Sequence, residues 1–234
     1  MTIRIGAGPV GWFEDDFSAF RNESVREAHL YAVARARFDG LCLNPGSARE
    51  VACVQASLAR HRLQFIAPTH VIDLSHRSAH LVFNEIERHI RGARALGATE
   101  VSVCEQSRAV LSEPHWERFG ERLTALSKLF ADAGVRLVYR PAKGTIISSA
   151  RTIDTLFAHV DGSVALMLDS SVLGADSITI ARNYSPRVAL IAPDTATDAI
   201  MAELPRFSGW TMMNARLDQA SEHIDSIDEM AKAA

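Results

Sequence analysis

LVYRPAKGTIISSARTIDTLF, residues 137–157, writes out a strand, a turn and a helix in one stretch. Leu137, Val138 and Tyr139 form an apolar run in a strand that starts at Arg136, as a strand buried on both faces requires. Pro141 and Gly144 then break the chain into a polar turn. A second apolar pair, Ile146 and Ile147, leads to a helix spanning Ala150–His159. Just upstream, Glu113 precedes a helix over Pro114–Ala133, and Gly134 stands where a C-cap glycine belongs. Strand, helix, strand and helix thus follow one another without a linker.

Working outward, the same alternation covers the whole chain. Strands are expected at Ile3–Ile5, Gly40–Leu43, Gln64–Ala67, Glu100–Cys104, Arg136–Tyr139, Ala165–Leu168, Arg187–Ile191 and Gly209–Met213. Several are continuous apolar runs, the pattern of parallel strands covered by helices. The helices between them are Ser24–Phe38, Ser47–Arg62, Arg77–Leu96 and Pro114–Ala133, then Ala150–His159, Ser177–Tyr184, Asp198–Leu204 and Ser221–Lys232. Eight right-handed βα crossovers close into a barrel. The expected fold is therefore α/β, a (β/α)8 TIM barrel forming a single domain over residues 1–234. An open doubly wound sheet is the runner-up. Gly6, Gly8 and Gly11 give it little support, because Pro9 interrupts them and Trp12, Phe13 and acidic residues follow where a dinucleotide-binding helix would start.

Composition narrows the function classes. The 234 residues are 47% hydrophobic, and 25 basic against 28 acidic residues give a net charge of −3 without a basic stripe or an acidic tail. Nucleic acid is not an expected partner. No apolar run reaches the roughly 20 residues of a membrane span, and the N-terminus does not read as a signal peptide. Three cysteines, Cys42, Cys53 and Cys104, are an odd number without paired spacing, so reduced thiols and a cytoplasmic location are expected. Cys42 and Cys104 lie in apolar runs and read as small buried side chains.

In such a barrel the site forms at the C-terminal ends of the strands. Those ends carry Trp12, then Asn44, then His70, then Glu105, then Arg140 and Lys143. Asp169, Asp194, Asn214 and Arg216 follow on the last three strands. A mouth this polar and mixed in charge suits a polyhydroxylated or carboxylated small molecule.

Five segments together resemble a known family. RIGAGPVGWFEDD (4–16) resembles the first strand and loop of inosose dehydratase-type proteins of the xylose isomerase-like TIM barrel superfamily, which includes sugar phosphate isomerases and epimerases. VYRPAKGTIISSARTIDTLF (138–157) is similar to the family segment in which a His-rich stretch, Met-Gly-Thr and a metal-binding Glu precede a helix. VALMLDSSVLGA (164–175) resembles the strand ending in Asp-Thr-Gly-His, and SPRVALIAPD (185–194) the Arg-x-x-His-x-His-x-Lys-Asp region. SGWTMMNARLD (208–218) resembles the last strand, where Gly-Trp precedes a second metal-binding Glu.

The resemblance implies a divalent cation such as Mn, Mg, Co or Zn held by two Glu, one Asp and one His. Carried over by position, the Asp is kept as Asp169, whereas the two Glu become Ser148 and Asn214, and the His becomes Ala192. The His of Asp-Thr-Gly-His becomes Val172. The expectation is a degenerate metal site without the family's cation.

Without a metal, Arg140 and Lys143 can supply positive charge to a carboxylate, phosphate or developing enolate. Asp169, Glu105 and His70 are the candidate proton-transfer groups. Each has a plain structural alternative: Asp169 pairing with Lys143 or Arg140, Glu105 capping the loop after its strand, His70 packing a loop. Catalytic roles are expected for Asp169, Lys143, Glu105 and His70, and substrate contacts for Trp12, Arg140, Asn214 and Arg216. Asp73, His76 and His80 lack a convincing third partner for a metal. Ser148, Ser149, Ser170 and Ser171 lack the strained nucleophile turn of a hydrolase.

The expected function is isomerase, epimerase or dehydratase (lyase) chemistry on a small polyol, keto-sugar or cyclitol, without a metal. The alternative is a non-catalytic homologue that binds such a ligand or pairs with an active relative. A homo-oligomer is left open. A rearranged metal set of Asp169, Glu105 and His70 is the third possibility.

Overall fold

The computed structural model describes residues 3–8, 22–43, 48–108, 111–192 and 197–213. Nine parallel strands form one curled sheet: β1 (Ile3–Ala7), β2 (Gly40–Cys42), β3 (Gln64–Ile66), β4 (His70–Ile72), β5 (Glu100–Glu105), β6 (Arg136–Tyr139), β7 (Ala165–Asp169), β8 (Val188–Ala192) and β9 (Gly209–Met213). The order is β3-β2-β1-β9-β8-β7-β6-β5-β4. β1 and β9, the first and last strands, are paired over five residues. That closure is what distinguishes a barrel from the open sheet kept as the runner-up.

All eight expected strands are found. The ninth, β4, continues the third. Pro68 cannot donate to a ladder, and the strand breaks at Ala67–Thr69. β3 pairs with β2, β4 pairs with β5, and the chain itself joins the two halves. A hydrogen bond of 2.7 Å between the Thr69 and Ser102 hydroxyls ties the break to β5.

The helices among the described residues are α1 (Glu23–Arg35), α2 (Ala48–His61), α3 (Ala79–Ala95), α4 (Glu113–Asp132), α5 (Ala150–His159), α6 (Ser170–Leu173), α7 (Asp176–Tyr184) and α8 (Thr197–Ala202). The expected Ser221–Lys232 helix lies outside the described residues. Local chemistry explains the boundaries. Asn22 caps α1, Pro114 sits in the first turn of α4, and Gly134 follows α4 with φ 79°. Ser149 and Thr152 form a capping box at α5. No helix among the described residues is long and apolar enough to cross a membrane.

Strand alternation sorts the side chains into two cores. The larger lies between sheet and helices and includes Val103, Leu137, Tyr139, Leu166 and Leu168. The smaller fills the barrel and includes Cys42, Ile66, Val138, Met167, Ala192, Trp210 and Met212. Trp210 blocks the N-terminal end, with the Arg4 guanidinium 4.5 Å from its ring centre. Gly40 makes room for it, because a Cβ there would stand 2.6 Å from the indole and 2.8 Å from the Gln64 carbonyl oxygen. Below its upper end the barrel is filled by these side chains.

Candidate functional site

The upper end is built around Arg140 and Asp169. Arg140 follows β6, and its backbone N–H donates to Val103 O, which holds it in register with β5. Asp169 ends β7 and caps α6, accepting from the backbone N–H of Ser171 at 3.2 Å and from its hydroxyl at 2.6 Å through Oδ1. Its Oδ2 accepts from Arg140 Nε at 3.2 Å and Nη2 at 2.9 Å. Asp169 is 2% exposed, while the Arg140 side chain is 36% exposed. The carboxylate is therefore sealed in, and the guanidinium shows its other edge to the mouth.

Arg140 also marks which thiols line the site, since its charge acts on both Cys42 and Cys104. Burial pushes Cys42 up to about 12 and raises Cys104, with Arg140 opposing in each case. Both remain neutral thiols at physiological pH. Val71, in register with Cys104, is 64% exposed on the same side of the sheet.

Lys143 is exposed on the turn after β6. That turn is closed by Thr145 N–H donating to Ala142 O, and its return arm is anchored by Ile146 N–H donating to Ser107 O. Lys143 makes no hydrogen bond or ion pair to another described residue, so of the two partners expected for Asp169 the structure selects Arg140. Ser148, where the resemblance expects the first Glu, precedes the α5 cap and donates its backbone N–H to Thr152 Oγ1.

Glu105 and His70 are not brought to this mouth, and strand alternation is the reason. On β5, Ser102 and Cys104 face inward, so Val103 and Glu105 face the helices. Glu105 is 1% exposed and works as a loop cap, accepting from Leu74 N–H at 2.8 Å and Ser107 N–H at 3.0 Å. Burial raises its carboxyl above the usual range, against the pull of those two donors. His70 pairs in register with Val103 and stacks on His89 of α3, ring centres 5.0 Å apart. Burial, assisted by His89, lowers His70 to about 4. Glu105 thus takes the loop-capping alternative open to it in the sequence, whereas His70 packs against a helix and not a loop.

Trp12, Asn214 and Arg216 lie outside the described residues. Asp73 and His76 bond each other at 2.8 Å on an exposed turn. Among the described residues, no three His, Cys, Asp or Glu side chains converge as a metal site. Sequence reasoning passed over the Thr69–Ser102 pair, and the Pro68 break was its signal.

Comparison with known proteins agrees with this architecture. No family model matches the chain. Inosose dehydratase of Bacillus anthracis is 24% identical over 205 residues, covering 80% of this chain and 69% of that protein. Rhizopine catabolism protein MocC of Rhizobium meliloti is 25% identical over 204 residues, covering 80% and 63%. Among solved structures, an L-ribulose 3-epimerase superposes with TM-score 0.78 at 14% identity, covering 100% of this chain and 95% of that one. The Methylomonas sp. D-allulose 3-epimerase in complex with D-allulose gives TM-score 0.74 at 14% identity, with 98% and 97% covered. The probable 3-DHS dehydratase AsbF of Bacillus anthracis gives 0.72 at 12% identity, with 96% and 98% covered.

Proposed function

We propose that this TIM barrel, similar to the xylose isomerase-like proteins, carries out isomerase, epimerase or dehydratase-type chemistry on a small keto-sugar, polyol or cyclitol with Arg140 in place of the metal. The observation that carries this reading is the Arg140–Asp169 pair. Asp169, the carboxylate that the resemblance assigns to the cation, is engaged by a guanidinium on Oδ2 and by Ser171 on Oδ1.

The remaining donors do not fit the family's cation. Ser148 offers a neutral hydroxyl, Ala192 no donor and Asn214 a neutral amide in place of two carboxylates and an imidazole. One carboxylate, already paired, is a poor match for a hard dication.

In the proposed chemistry the outer edge of Arg140 receives the substrate's carbonyl oxygen and stabilises the enolate that forms as the adjacent carbon loses its proton. Asp169 orients Arg140 and is the proton acceptor beside it, with Lys143 the second cation at the rim. Glu105 and His70, on the other face of the sheet, have no part in it.

The test is solvent deuterium exchange into candidate keto-sugars and inososes, together with metal analysis of the purified chain. Exchange that survives chelation and disappears in Arg140→Gln supports the proposal. A stoichiometric cation removed by Asp169→Ala would overturn the metal-free part. A specific observation favours a second reading, a non-catalytic binder. Asp169 already accepts from four donors, an arrangement that suits holding Arg140 better than taking up a proton. Ligand binding without exchange would select it.

A further inference from the structure

Among the described residues, Arg140 presents a half-used guanidinium to an inner face with few hydrogen-bonding groups. Nε and Nη2 are bonded to Asp169, whereas Nη1 has no bond to a described residue. Around it the inner face carries Cys42, Val71, Cys104, Met167, Ala192 and Met212. The Thr69 and Ser102 hydroxyls bond each other, and the Ser171 hydroxyl bonds Asp169. Cys42 is buried and Cys104 half-buried, and both protonated thiols donate weakly.

A hydroxyl-rich ligand face pressed against these side chains would leave each hydroxyl without a partner, at a cost of about 1–3 kcal/mol apiece. One charged group aimed at Arg140 would not meet that cost. A carboxylate matches the free edge of a guanidinium and gains a charge-assisted bond. Lys143, exposed on the turn of the same strand end and without a partner among the described residues, adds positive potential.

We infer that the mouth takes a small ligand bearing a carboxylate, inserted carboxylate-first onto Arg140, with its hydroxyl or oxo groups turned toward the rim. This rests on the second reading, in which the mouth binds a small molecule without turning it over, and it narrows the ligand from neutral sugars to sugar acids and cyclitol carboxylates. Asp169 then tunes affinity. It holds the guanidinium in place and competes with the incoming carboxylate for its charge.

The test is isothermal titration of the full chain with two matched pairs of probes: quinate against myo-inositol, and cyclohexanecarboxylate against cyclohexanemethanol. In each pair the carboxylate is expected to bind at least roughly tenfold more tightly, with an affinity that weakens as salt is raised. Arg140→Gln should weaken the carboxylates roughly 10- to 100-fold and so abolish the preference within each pair. Asp169→Asn should tighten them by roughly threefold or more by removing the competing charge, an effect that a merely structural pair would not produce. Arg140→Lys, which keeps the charge, should retain part of the preference and serves if Arg140→Gln fails to fold. Equal binding within both pairs overturns the inference and leaves the proposed chemistry standing. No binding of any probe overturns it too, while deuterium exchange decides the chemistry separately.

Discussion

Replacing Arg140 by methionine removes both donors from Asp169 Oδ2 and leaves a carboxylate that is 2% exposed with one oxygen unpartnered. Breaking a fully buried ion pair by removing one partner costs about 3–5 kcal/mol. Two features reduce that here. Arg140 is 36% exposed, so water reaches part of the site, and Oδ1 keeps both bonds from Ser171. The expected loss is about 2 kcal/mol near pH 7.5, a substantial part of the roughly 5–15 kcal/mol that holds a domain together.

Urea denaturation of wild type, Arg140→Met, Asp169→Asn and the double variant at pH 7.5 measures the effect as a double-mutant cycle. Arg140→Met should cost more than Asp169→Asn, because the guanidinium left behind is open to water and the carboxylate is not. A coupling energy below about 0.5 kcal/mol, or an Asp169→Asn deficit as large as that of Arg140→Met, would refute the argument.

Three further substitutions test the placement of the other residues. Glu105→Ala should cost about 2–4 kcal/mol, because Leu74 and Ser107 lose the acceptor for their backbone N–H groups, while ligand titration of the folded fraction stays unchanged. His70, lowered to about 4 by burial, is neutral in the fold, so the unfolded chain binds more protons between about pH 6.5 and 4 and stability falls over that window. His70→Phe should remove about 2 kcal/mol of that acid loss in denaturation series at pH 7 and 4.5. Gly40→Ala should lower stability by about 1–3 kcal/mol in thermal or urea melts, since its Cβ would meet the Trp210 ring at 2.6 Å and a backbone oxygen at 2.8 Å.

The barrel was legible in the sequence because its strands are apolar on both faces and its helices carry caps. Ala150–His159 is found as expected, and Gly134 closes α4 as expected. The same double-sided apolarity hid which residues point inward. In Glu100–Glu105 both faces are largely buried, so nothing in the letters says whether Cys104 or Glu105 lines the mouth. That parity is set by register with neighbouring strands, here Val71 with Cys104 and Ile72 with Glu105. It is a long-range property that a strand-end inventory cannot supply. His70 was ambiguous for a similar reason, because its stacking partner His89 comes from the helix that follows.

Parity also explains why Arg140 and Asp169 survive as the centre while Glu105 and His70 do not. β6 and β7 are neighbours in the sheet, and Arg140 and Asp169 both stand at their upper ends on the inner side. A guanidinium from one strand end therefore reaches the carboxylate of the next without any loop contributing. A dication needs several donors converging from strand ends around the barrel. A two-residue ion pair needs only one strand–strand contact, and β6 and β7 are held by their own ladder. Such a pair keeps a positive edge at the mouth without donors from the positions of Ser148 and Ala192, and in the proposed chemistry this makes Arg140 the residue to test first.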